Sequence, residues 1–92
     1  MNAEIIDVIR RLVSSIRMDG RFLIKESTDT DKGQRLLTFK KDKNEFTIIM
    51  QLNLPEMFWE YTIYKNDEKL NEDDILLLYA EINSNIQMAE IE

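Results

Sequence analysis

The sequence predicts an α+β fold: a two-layer domain with a four-stranded antiparallel meander and the N- and C-terminal helices packed on one of its faces. Three observations carry this. Apolar residues near the two ends recur with the helical period, and those in the middle alternate with the strand period. The segments between the strand-like runs are too short for parallel crossovers, which need about a dozen residues.

Residues 3–18 read as a helix. Ile5, Ile9, Leu12 and Ile16 fall on one stripe, which Ile6, Val8 and Val13 widen. Asn2 is placed to cap its start, Glu4 and Asp7 sit at the positive end of the helix dipole, and Arg17 sits at the negative end. Gly20 supplies the stop, because a left-handed residue after a helix strains any side chain but glycine's.

Four strand-like runs follow, at 21–26, 34–41, 45–52 and 57–65. Phe46, Ile48, Met50 and Leu52 alternate with Thr47, Ile49 and Gln51, and Met57, Trp59, Tyr61 and Ile63 alternate with Phe58, Glu60, Thr62 and Tyr64. Asp42-Lys43-Asn44 is short enough to close a hairpin, and Asn53-Leu54-Pro55-Glu56 reads as a second turn. The link 27–33 is longer and is expected to be mobile. A second helix near 72–90 is capped by Asn71 and opens on Glu72, Asp73 and Asp74, which complement the dipole. Ile75, Leu78, Ile82, Ile86 and Ala89 form its stripe, Leu76, Tyr79 and Met88 broaden it, and Leu77 lies off it.

The alternation sorts the strands into two faces. Phe22, Ile24, Leu37, Phe39, Phe46, Ile48, Met50, Leu52, Trp59, Tyr61 and Ile63 are expected to face the helices. Each large apolar side chain that is fully buried contributes about 1.5–3 kcal/mol, so this set dominates the strand register. The opposite face carries Leu23, Leu36, Ile49, Phe58 and Tyr64 among polar neighbours. That is more apolar surface than a purely solvated face needs.

Composition narrows the chemistry. The 92 residues make one domain, residues 1–92, and the 43% apolar and 33% charged content is that of an ordinary globular chain. Zero Cys excludes disulfide scaffolds and thiolate chemistry, and zero His removes the commonest general base and metal ligand. Glycines at 20 and 33 alone permit no phosphate-binding Gly-rich loop. Asp29-Thr30-Asp31-Lys32-Gly33 begins like a calcium loop, but its Gly falls fifth instead of sixth and Lys40 stands where the bidentate Glu belongs. Ser14 and Ser15 have no His to activate them, a Ser–Lys pair is chemically open but nothing in the sequence singles one out, and Glu60 has no evident acid partner. A non-enzyme without metal or cofactor is expected.

The net charge of −6 is unevenly distributed. Residues 1–43 hold ten basic and seven acidic side chains, a balance of +3, whereas residues 44–92 hold two and eleven, a balance of −9. Arg10, Arg11, Arg17, Arg35, Lys40, Lys41 and Lys43 are the basic candidates, but Asp42 and Glu45 interrupt them. Direct nucleic-acid binding is therefore not expected. No apolar run is long enough to span a membrane, and the start of the chain does not read as a signal peptide, so the cytoplasm is the expected compartment.

The function expected first is a non-catalytic protein-interaction module that forms homodimers through Leu23, Leu36, Ile49, Phe58 and Tyr64. Aromatic and large apolar groups give interfaces most of their energy. A second reading is an acidic nucleic-acid mimic that binds a nucleic-acid-acting protein through Glu72, Asp73, Asp74 and Glu81. A third is a small-ligand carrier, which needs a cavity of roughly 300 Å³ or more lined by Met50, Trp59 and helix residues.

Overall fold

The structure, a computed structural model, describes the backbone of residues 3–91 and the side chains of residues 3–84. The order is α1 (Ala3–Asp19), β1 (Leu23–Asp29), β2 (Gln34–Lys41), β3 (Asn44–Asn53), β4 (Phe58–Lys65), β5 (Glu68–Lys69) and α2 (Glu72–Ile91). The α+β class and the antiparallel meander stand, with a fifth short strand added. The strands form one sheet in the order β1-β2-β3-β4-β5, all neighbours antiparallel. Two compact units are resolved: the two helices with their flanking residues, and Phe22–Leu70.

In the helical unit, α1 buries Ile5, Ile9, Leu12, Val13 and Ile16, which are the expected stripe with Val13 beside it. Gly20 ends α1 at φ 76°, its N–H donating to the Ile16 carbonyl at 3.0 Å. An Arg11–Asp7 ion pair of 3.1 Å spans one exposed turn. Helix α2 contacts α1 and buries Ile75, Leu78 and Ile82. Asn71 caps it as expected, its Oδ1 accepting from the Asp74 N–H at 2.8 Å. Leu76 is exposed and does not broaden the stripe, because it points about 100° away from Ile75. The expected roles of Asn2, Ile86, Met88 and Ala89 lie outside the described side chains.

At the end of α1, Asp19 takes three hydrogen bonds from the Arg21 guanidinium, at 2.6 to 2.9 Å. Hydrogen bonding to Arg21 holds the Asp19 carboxyl below its ordinary value of 3.8 and raises the guanidinium in return. A depressed carboxyl contributes stability that is complete above the unfolded value and is lost as pH falls through the folded one. Arg21→Ala should therefore return Asp19 to the ordinary carboxylate range, read as an upward shift of its side-chain titration by NMR.

In the sheet unit, register does the sorting. Leu37, Ile48 and Ile63 lie in one cross-strand row and Phe39 opposes Phe46, all five being buried. The two phenyl rings stack with centroids 4.9 Å apart. Met50 is also buried on this face, while Leu52, Trp59 and Tyr61 are half-buried, and the Arg35 guanidinium lies 5.7 Å from the Trp59 ring.

The turns depart from expectation where strands prolong into them. The expected mobile link at 27–33 is mostly strand: β1 runs to Asp29, and only Thr30–Gly33 turn. Asp29 Oδ1 accepts from the Lys32 N–H at 3.2 Å, and Gly33, at φ 61°, passes its carbonyl to the Leu52 N–H at 2.9 Å. Met57 takes φ 57° at the end of the β3–β4 turn and is exposed instead of opening the alternation of β4. The unexpected strand β5 follows a two-residue turn, Asn66-Asp67, with φ of 47° and 72°. Two left-handed residues suit the right-handed twist of a hairpin, and Asn and Asp tolerate that conformation best after Gly.

Candidate interaction surface

Strands β2, β3 and β4 turn alternate residues away from the buried face. Register assembles these into rows. Ser27, Leu36, Ile49 and Thr62 form a middle row. On one side lies the row Lys25, Thr38, Thr47, Tyr64 and Lys69, and on the other Asp29, Gln34, Gln51 and Glu60. Asn53 and Phe58 pair in the row beyond.

The structure thus brings Leu36, Ile49 and Tyr64 together, as expected. Leu36, Thr47, Ile49, Thr62 and Tyr64 are half-buried, and Thr38 between them is buried. Phe58, 40% exposed, shares the face but stands apart, separated from Ile49 by the polar row of Gln51 and Glu60. Residues two apart on a strand are about 6.6 Å apart, so Phe58 lies about 13 Å along the strand direction from the Ile49 row. It belongs with exposed Leu54 and Met57 at the β3–β4 turn, an apolar tip that strand alternation does not single out.

Leu23 is a correction. It opposes Phe39, on the buried face, while Lys25 opposes Thr38 on the other. The intervening Ile24 has no partner in the ladder and is 49% exposed, contrary to its expected inward position. The physical reason is a β-bulge: one extra residue on β1 shifts the parity of everything before it. Lys25, Ser27 and Asp29 continue the correct alternation.

The acidic residues do not form one stripe. Glu72, Asp73, Asp74 and Glu81 are all exposed on α2. At about 100° per residue, Asp74 and Glu81 share a side, whereas Glu72 points nearly opposite Glu81. Asn71 Oδ1 already accepts from one first-turn N–H, that of Asp74. The basic cluster is likewise divided: Lys41 Nζ lies 3.1 Å from Asp42, and Lys40 opposes Glu45 across the ladder. Grouped by compact unit, the helical residues 1–21 and 71–92 hold four basic and nine acidic side chains, whereas 22–70 hold eight and nine. The imbalance between chain halves becomes a nearly neutral sheet and an acidic helical pair.

A shallow cavity of about 220 Å³ is lined by Glu45, Thr47, Asn66 and Asp67. It is polar, smaller than the roughly 300–1,000 Å³ of ligand sites, and built from neither Met50 nor Trp59. Asn66 knits its walls. The Asn66 N–H donates to the Glu45 carbonyl (2.8 Å), its Oδ1 accepts from the Glu45 N–H (3.0 Å), and its Nδ2 donates to Asn44 Oδ1 (2.9 Å). Among the described residues, no group of three or more carboxylates is arranged to hold a metal ion. No helix among the described residues is long and apolar enough to cross a membrane.

Comparison with known proteins finds no matching family model, no matching curated protein and no matching solved structure. The surface has to be interpreted from its own chemistry.

Proposed function

We propose that the chain is a non-catalytic protein-interaction module that self-associates through the half-exposed face of its sheet. The observation that supports this reading is the distribution of charge on that face. Its centre is Leu36, Thr38, Thr47, Ile49, Thr62 and Tyr64, with no ionisable group but the tyrosine hydroxyl. Lys25, Lys40, Lys69, Asp29, Glu45 and Glu60 stand around it. An uncharged centre holding an aromatic group and branched apolar groups, within a polar rim, is the anatomy of a protein interface. A face built only for solvent has no reason to keep its charges at the margin.

The test is sedimentation of the wild type and of Leu36→Lys/Ile49→Lys across micromolar to millimolar concentrations, with circular dichroism as the folding control. The wild type is expected to associate. Each lysine placed in the desolvated centre should cost about 2 kcal/mol or more of association, so the variant sediments as a monomer with an unchanged spectrum. A wild type that stays monomeric throughout overturns the proposal.

A further inference from the structure

Resting on that reading, we infer that the partner is a second copy of this chain stacked sheet on sheet, about a two-fold axis that crosses the strands at the Leu36–Ile49 row. The argument is electrostatic and comes from the rows. The row on one side of Leu36 and Ile49 carries its charges as lysines, Lys25 at the β1 edge and Lys69 on β5. The row on the other side carries carboxylates, Asp29 at the β1 edge and Glu60 on β4. All four side chains are exposed.

Face-to-face stacking of identical surfaces permits two simple two-fold axes lying between the sheets. An axis along the strands superposes each row on itself. Lys25 then meets the side of the row holding Lys69, and Asp29 meets Glu60, like charges on like. An axis across the strands exchanges the rows. Leu36 and Ile49 then meet their own copies, Lys25 of each protomer faces Asp29 of the other, and Glu60 faces Tyr64, with Lys69 one strand over from it on β5, about 5 Å to the side. The uncharged positions agree as well: Thr38 falls over Gln34 and Thr47 over Gln51, hydroxyl donors against amide oxygens. Gln51 has its Nε2 engaged by the Lys32 carbonyl at 2.7 Å, which leaves its oxygen to accept. Lys40 and Lys32 would approach only at the ends of the strands, where the twist of two stacked sheets carries them apart. The pattern selects one axis and disfavours the other.

This places β5 in the interface. Glu68–Lys69 is too short to stabilise the sheet much, but its pairing with Tyr64–Lys65 holds Lys69 on the same face as Tyr64. The symmetry opposes two Lys25–Asp29 pairs per dimer and brings each Lys69 beside the partner's β4 edge near Glu60, enough for rim charges to set orientation even though each is individually weak.

The experiment uses two full-length variants, Lys25→Glu/Lys69→Glu and Asp29→Lys/Glu60→Lys, sedimented separately and as an equimolar mixture at low and high salt. Each alone should lose self-association by about 10- to 100-fold at low salt, since every pair becomes a like-charge contact. The mixture should recover it as a heterodimer, and high salt should erase the difference. Circular dichroism of each variant confirms the fold, and recovery in the mixture excludes misfolding as the cause of loss. If the wild type associates and Leu36→Lys/Ile49→Lys abolishes this, yet the charge variants associate unchanged or fail to recover on mixing, the axis is wrong while the interface stands. A strictly monomeric wild type overturns both.

Discussion

Ile48→Ala is expected to destabilise the fold by about 2–5 kcal/mol, while Ile49→Ala, one residue away, should change stability by well under half of that. Ile48 is fully buried in the row with Leu37 and Ile63, so truncation removes transfer energy and leaves a cavity that close-packed neighbours cannot fill. Ile49 is half-buried on the opposite face, and its truncation should weaken self-association instead. Urea titration followed by Trp59 fluorescence measures the first effect, and sedimentation the second. Equal losses of stability in the two variants would contradict the assignment of faces.

Leu12→Ala should cost a similar amount, about 2–5 kcal/mol, against a change within about 0.5 kcal/mol for Met18→Ala on the same helix. Leu12 has no exposure and lies on the stripe of α1 with Ile5, Ile9 and Ile16, whereas Met18 is 85% exposed. Thermal melts by circular dichroism at 222 nm, roughly the wavelength of the helical signal, report both. The comparison tests burial rather than hydrophobicity, since Leu and Met differ little in transfer energy or in helix propensity.

Both pairs of variants were legible in the amino-acid sequence, and for a common reason. Ile48 and Ile49 differ in parity within an alternating run, and Leu12 and Met18 differ in phase within a helical one. A period sustained over eight or more residues overrides local propensity, because reversing it would exchange a whole buried set for a solvated one. The candidate surface inherits this: Leu36, Ile49 and Tyr64 share a face because each stands one residue out of phase with a buried neighbour, Leu37, Ile48 and Ile63 respectively.

Leu23 was not legible in that way. Phe22-Leu23-Ile24 is a run of three apolar residues without alternation, and the bulge that gives Leu23 to the buried face and exposes Ile24 depends on how β1 meets β2. Phe58 keeps its parity but not its neighbours, since only the register shows the Gln51 and Glu60 row between it and Ile49. For β5 a local signal existed, the Asn66-Asp67 pair, whose side chains tolerate left-handed backbone. The two-residue strand that follows is too short to show any period.

What the amino-acid sequence by itself determined is therefore periodic: two amphipathic helices, an antiparallel meander, the division of its strands into two faces, and the absence of thiol and imidazole chemistry. Those follow from backbone geometry and composition, which act along the chain. What only the tertiary structure decided is lateral. The rows of charge around Leu36 and Ile49, the place of Lys69, the correction of Leu23 and the scattering of the acidic residues around α2 all depend on which residue of one segment stands beside which of another. Pairing between strands is set by the sum of many contacts distant in sequence, and no single stretch of chain contains that sum.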